Sequence, residues 1–275
     1  PSHNMGLYSI VAGGVSVGSM FLAGMIPGLI MLASLMITGY LIGLKRGYGY
    51  GDPVIKKQIP GIIIHGLLSF TPAVIIVSAI ISGWATATEA GAIAAVYAFV
   101  LAFLAYREAP LSNIWGVLIR TFRTVLMVFF LIAASQAFGW VMAYLHLPDI
   151  ITEWFIGVSD KPWVILLMIN VLLLLLGGPM DMAPMILILT PILLPVCVKL
   201  GMDPIQFGII MIFNSGMGLL TPPVGTVLFV GCAIGKVSVE AGTRAMLPFF
   251  YAMFVVLMAI TYIPAITMWL PKMFM

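Results

Sequence analysis

The sequence predicts an all-α polytopic membrane protein, and three observations carry that prediction. Of its 275 residues 63% are hydrophobic and 8% charged, against roughly half and a quarter in soluble domains. Apolar runs long enough to cross a bilayer, which takes about 20 residues, recur along the chain. Several of these runs are broken by Pro and Gly in their middle rather than at their ends. The formal charge of +3 comes without a basic stripe, which argues against nucleic-acid binding. Cys197 and Cys232 sit in apolar runs and read as small packing residues, not as a disulfide framework. Pro1 reads as the interior of a longer chain.

The elements follow in order. Phe21–Leu44 is a span that stops at Lys45-Arg46. A Gly- and Tyr-rich loop leads to Val54–Gln58, whose Lys56 and Lys57 suit the membrane interface. Pro60–Gly83 is the next span, with Pro72 inside it, and Ala90–Tyr106 returns. Thr86 and Glu89 fit a capping box at the start of that return. His65 reads as a hydrogen-bonded packing residue; His3 and His146 have no second ligand at zinc spacing. After a loop at Arg107–Pro110, amphipathic Leu111–Arg123 runs into Val125–Tyr144 as an interfacial arm and a span. A polar loop with the short apolar segment Ile150–Ile156 follows. Trp163–Leu176 is too short to cross comfortably and stops at Gly177-Gly178-Pro179-Met180-Asp181; with Met182–Leu200 it predicts a re-entrant hairpin. Phe207–Leu219 and Val224–Ile234 form a broken helix, and Met246–Leu270 is the last span.

The break Leu220-Thr221-Pro222-Pro223-Val224-Gly225 is the most informative stretch. Two consecutive prolines supply no N–H, so the carbonyls of Gly216 to Leu219 are expected to lack partners. Non-helical backbone at membrane depth survives only inside protein or against a watery cavity. Freed carbonyls and the hydroxyls of Thr221 and Thr226 suit a small hard cation; the N-terminus of the next half-helix suits an anion. The bland alternative is a proline kink in an ordinary span.

The start of the chain repeats this stretch. At an offset of 222 residues Pro1 falls on Pro223, Gly13 on Gly235, and Val15, Ser16 and Val17 on Val237, Ser238 and Val239. Lys45, Arg46, Lys56, Lys57, Arg107, Arg120, Arg123, Lys236 and Arg244 share one side if the hairpin returns to its starting side, which makes that side cytoplasmic. The chain then crosses an odd number of times between the copies, so the repeats are inverted. Inverted repeats with broken helices are the architecture of secondary transporters.

Each candidate residue carries a plainer reading too. Asp181 is an isolated intramembrane carboxylate suited to a cation, directly or through a neighbour, and also an N-cap for the following helix. Gly177 and Gly178 free carbonyls at the tip, or simply form a turn. Asn214 binds ion or substrate, or bonds across helices. The cation set read from these stretches is Gly177, Gly178, Asp181, Gly218 and Thr221. Ser2, Asn214, Pro223 and Thr226 form the substrate set.

GGPMDMAPMILILTPILLPV, GMGLLTPPVGTVLFVGCAIGKVSVE and ATATEAGAIAAVYA resemble the large membrane subunit of tripartite ATP-independent periplasmic (TRAP) transporters. The opening PSHNMGLYSIVAGGVSVGSMFLAGMIPG resembles that subunit's first-half segment just after its own Pro-Pro-Ser break, and Ser2 enters the substrate set through this match. The resemblance implies Na+-coupled uptake of an organic acid delivered by a soluble periplasmic binding protein, with no organic cofactor. It also implies a small four-helix membrane subunit, separate or fused, and elevator-type motion in a bacterial inner membrane. The domains expected are 1–19 and 161–240 for transport, 20–160 mostly for scaffold, and 241–275 for a final span. Sialic acid is the expected substrate and a C4-dicarboxylate its alternative. An intramembrane enzyme or a non-transporting scaffold subunit are the other classes; no G-x-S-x-G, HExxH or paired-Asp constellation is present for the former.

Overall fold

A computed structural model describes residues 2–48, 59–106, 110–222 and 225–274, apart from the side chains of Leu111 and Thr226. The expected interfacial segment Val54–Gln58, and Pro1 and Pro223 of the two breaks, lie outside the described residues, as do residues 107–109 of the expected loop. The described chain is α-helical and contains no strand. Its helices divide between two compact units, Gly43–Phe129 and Ser2–Ile42 with Phe130–Met275. Helices α2 (Val17–Arg46) and α5 (Ile114–Tyr144) each pass through a sequence boundary of the units.

In the first unit, α3 (Ile59–Ile81) and α4 (Ala87–Phe99) form an antiparallel hairpin. Pro72 has no N–H for the Leu68 carbonyl four residues back. Tyr97 Oη donates to that carbonyl at 3.2 Å from α4. The capping box is present: Thr86 Oγ1 accepts from the Glu89 N–H and the Glu89 carboxylate accepts from the Thr86 N–H. The expected span Ala90–Tyr106 does not stay α-helical, because Val100–Ala105 widens into a π-helix. His65 Nδ1 and Tyr106 Oη lie 3.0 Å apart, in keeping with a hydrogen-bonded histidine. Unbroken α5 has 31 residues; at about 1.5 Å each it rises about 46 Å, enough for an arm and a span.

The second unit holds the buried core. Helices α7 (Pro162–Gly177) and α8 (Met182–Lys199) are the two arms of the expected hairpin. The Tyr262 hydroxyl at the end of α11 (Val239–Tyr262) donates to the Trp163 carbonyl at 2.8 Å. A cavity lined by Val198, Met202, Gln206, Pro264 and Met268 brings the end of α8 to the same region. Both open ends of the hairpin therefore lie together, beside the start of α9 (Pro204–Gly218). The short helix α6 (Leu147–Val158) packs on α8, and Lys199 meets Asp149 at 3.4 Å.

The last expected span is corrected. Met246–Leu270 is not one helix: α11 starts at Val239 and ends at Tyr262, and α12 (Pro264–Phe274) follows. Ile263 leaves the helical region (φ −118, ψ 85) because the Pro264 ring blocks the α conformation of the residue before it. Pro264 also deprives the Ile260 carbonyl of its donor. Buried Gln206 supplies one instead, its Nε2 donating to the carbonyls of Ile260 and Thr261 at 3.1 Å each.

The internal repeat is structural. Helix α1 (His3–Val11) matches α10 (Thr226–Gly235). Gly14 (φ 87) and Lys236 (φ 50), at the same offset, both turn the chain in the left-handed region. Ser16 and Ser238 then accept from the N–H groups of Ser19 and Ala241, each at 3.2 Å. The copies run oppositely. Helix α1 starts beside Met182 at the hairpin tip, and its Tyr8 hydroxyl reaches the Pro204 carbonyl near the open end at 2.6 Å. Helix α10 starts at the tip level, where Leu228 donates to the Leu219 carbonyl, and ends beside the start of α11, far from Tyr262.

Candidate functional site

The site is built where the hairpin tip meets the end of α9. Gly177 and Gly218 touch backbone to backbone: a Cβ on Gly218 would lie 2.6 Å from the Gly177 carbonyl carbon. A Cβ on Gly177 would lie 3.0 Å from the Gly218 Cα. Proximity requires glycine at 218, where a side chain would force the tip from the broken helix, and one at 177 would need a shift of a few tenths of an ångström. Sequence reasoning named both as cation candidates without foreseeing that they meet. Gly178 follows as the C-cap of α7, in right-handed helical conformation. Asp181 is the N-cap of α8, its Oδ1 accepting from the Met182 N–H at 2.8 Å. That bond leaves the second carboxylate oxygen for another partner.

The α9 terminus departs from expectation. Three of the four carbonyls expected to lack donors have one. Leu220 and Thr221 donate their N–H groups to Met217 and Gly218 at 3.1 and 2.8 Å, and Leu228 donates to Leu219 at 3.5 Å. The helix tightens into a three-residue-per-turn ending before the prolines, which is how helix ends commonly satisfy late carbonyls. The Thr221 hydroxyl donates to the Met217 carbonyl at 2.9 Å. Its proton is thereby turned away, and its oxygen keeps acceptor capacity. Gly225 packs tightly here too, since a Cβ on it would lie 2.8 Å from the Thr221 carbonyl oxygen. Thr226 opens α10, with its side chain outside the description.

Polar side chains are carried by the helices that pack together here. Asn214 is fully buried in α9, and its Nδ2 donates to Asn170 Oδ1 of α7 at 2.6 Å. Asn170 Nδ2 donates to the Leu166 carbonyl at 2.9 Å and to Thr261 Oγ1 of α11 at 3.1 Å. Asn214 Oδ1 is buried and has no hydrogen-bond partner among the described residues. Ser2 is the N-cap of α1, accepting from the Asn4 N–H at 3.3 Å. Buried Asn4 donates to Met182 Sδ at 3.3 Å, which joins the first-repeat half-helix to the hairpin tip; its own Oδ1 also has no partner among the described residues. Asn4 and Asn170 were missed by sequence reasoning, although each is a lone amide in an apolar helix, the signal that singled out Asn214. Among the described residues no three His, Cys, Asp or Glu come together. The donors offered here are amide, hydroxyl, carboxylate and backbone oxygens, the set that hard cations take.

Residues 1–266 match the family described as "Tripartite ATP-independent periplasmic transporter, DctM component". The chain belongs to the DctM family. Among DctM relatives, the Salmonella typhimurium protein YgiK is 42% identical over the whole chain and 63% of its own length. The large permease SiaM of Vibrio cholerae, named as a sialic acid TRAP transporter protein, is 36% identical over the whole chain and 64% of its own length. The Pseudomonas aeruginosa large permease DctM, named as a C4-dicarboxylate TRAP transporter protein, is 37% identical over 99% of the chain and 64% of its own length. The chain thus spans a little under two thirds of these DctM relatives. Family membership and, among the described residues, six helices long and apolar enough to cross a membrane make it a multi-pass protein of the bacterial inner membrane.

Proposed function

We propose that this chain forms the larger part of a permease subunit for Na+-coupled uptake of an organic acid, working by alternating access of the elevator type. It is a transporter subunit in this reading, not an enzyme. The observation that carries it is the contact of Gly177 with Gly218, which puts a re-entrant tip and a helix break at one depth. The residues fit a Na+ ion. Asn214 Oδ1 is a buried acceptor with no donor among the described residues, Thr221 Oγ1 has its proton turned away, and Asp181 has an oxygen to spare. Gly177, Gly178 and Gly218 would add backbone oxygens. The negative end of α9 favours a cation there, and the N-terminal ends of α1 and α10 favour a carboxylate. Ser2, Pro223 and Thr226 belong to that substrate side. Asn214 moves from the substrate set to the cation side because it lies in the last turns of α9.

The ion's chemical contribution is charge: it offsets a carboxylate that would otherwise be costly at this depth. The chain does the rest. The hairpin, α1 and α9 share one buried core in the second unit and can move as a body. Sialic acid is the proposed substrate, with a C4-dicarboxylate as the competitor, since relatives named for each are similarly close. The proposed partners are a small four-helix membrane subunit and a soluble periplasmic binding protein. The test is uptake by liposomes holding the full-length subunit and its membrane partner, with binding protein outside. Labelled N-acetylneuraminate should enter in exchange or down an imposed Na+ gradient. Chemical conversion of the label would indicate an enzyme, and neither entry nor conversion of N-acetylneuraminate or of a labelled C4-dicarboxylate a scaffold.

A further inference from the structure

We propose that Asn170 is a positioning residue that fixes the Asn214 carboxamide oxygen as a ligand for a monovalent cation, an inference that rests on the Na+-coupled reading above. Hydrogen bonds decide which amide atom points where. The Leu166 carbonyl can only accept, so the Asn170 atom 2.9 Å from it must be nitrogen. The Thr261 hydroxyl gives its proton to the Leu257 carbonyl at 2.8 Å, so it too must accept from Asn170. Two independent constraints therefore make Nδ2 of Asn170 face α11 and its own helix. Its Oδ1 is left facing Asn214, at 2.6 Å. Only a donor can meet it there, so the near atom of Asn214 is nitrogen and the far atom is oxygen. The usual ambiguity of amide orientation is removed by the chain of bonds.

This outcome is costly unless something uses it. Asn214 is fully buried, and its Oδ1 has no donor among the described residues. A buried acceptor left unpaired keeps the full penalty of its lost hydration. Asn214 sits four residues before Gly218, in the negative last turns of α9, and its own carbonyl oxygen would lie 3.8 Å from a Cβ on Gly177. A negative helix end favours a positive ligand over a neutral donor. The same bonds tie α7, α9 and α11 together, so the oxygen is held by the hairpin arm and not by α9 alone.

The test uses the full-length protein and reads the Na+ concentration that gives half-maximal thermal stabilisation, with no transport required. Asn170→Leu should raise that concentration by about 10-fold, the scale on which partners of metal ligands act. Thr261→Val removes a bond of Asn170 but leaves the Leu166 constraint, so it should lower thermal stability and leave Na+ half-saturation unchanged. Asn214→Leu removes the oxygen itself and should raise the half-saturating Na+ concentration at least as far, which keeps the proposal testable if Asn170→Leu does not fold. An Asn170→Leu or Asn214→Leu protein with wild-type Na+ half-saturation overturns the proposal while leaving Na+ coupling intact. A wild type that gains no stability from Na+ overturns the Na+ reading and this inference with it.

Discussion

Asp181 is the N-cap of α8 and, in the proposed function, a cation ligand, and one substitution can separate the two. As N-cap it accepts from the Met182 N–H, and Asn caps a helix about as well as Asp. Asp181→Asn should therefore cost under about 0.5 kcal/mol of stability if capping were its whole role. We expect that small cost together with a clear loss of Na+ dependence in uptake, because the charge is gone while the cap remains. Unchanged Na+ dependence would return Asp181 to the cap alone. Gly218 makes the complementary case. Gly218→Ala places a carbon 2.6 Å from Gly177 backbone, which cannot rotate aside. Overpacking of this kind costs about 1–3 kcal/mol. It should lower thermal stability and uptake together; a stable, active Gly218→Ala protein would mean that tip and break separate freely. Asp181 was legible in the sequence because a lone carboxylate in an apolar run stands out. The Gly177–Gly218 contact was not, since glycine looks the same in a turn and in a close approach.

At the scale of elements, prolines explain both what sequence reasoning found and what it missed. Pro222-Pro223 marked the break because two missing N–H groups end any helix. Pro264 carried the same signal, but it stood inside a long apolar run and the span was read straight through it. Its consequence is the bond from Gln206 to the Ile260 and Thr261 carbonyls. Gln206→Leu should destabilise the protein by about 1 kcal/mol, the net scale of such bonds in membranes. In the Pro264→Ala background, where a backbone donor is restored, the same change should cost less. Equal costs in the thermal-unfolding double-mutant cycle would separate Gln206 from the proline. The carbonyls of Met217 to Leu219 show the opposite error: removing a donor by proline does not leave an acceptor empty when the last turn tightens around it, as for Met217 and Gly218, or a later helix donates, as Leu228 does to Leu219. Replacing Pro222-Pro223 by Ala-Ala should let the helix continue, removing Na+ stabilisation even if the protein becomes more stable.

For the whole molecule, the repeat at an offset of 222 was legible from a few identities and is matched by helix starts, left-handed turns and serine caps. Its inversion follows from the opposite courses of α1 and α10, and depends on the hairpin's open ends lying together. Cysteines at Trp163 and Lys199 should accordingly label from one side of the membrane, and labelling from opposite sides would contradict the topology. The lone amides Asn4 and Asn170 were less legible, because their partners come from helices distant in sequence. Coupling of an organic acid to Na+ is what this architecture is proposed to perform. Its most direct measurement is uptake of labelled N-acetylneuraminate, presented by the binding protein, into liposomes containing the full-length subunit and its membrane partner. Accumulation under an inward Na+ gradient, lost when K+ replaces Na+, is the predicted result. Equal accumulation with either cation would contradict the account.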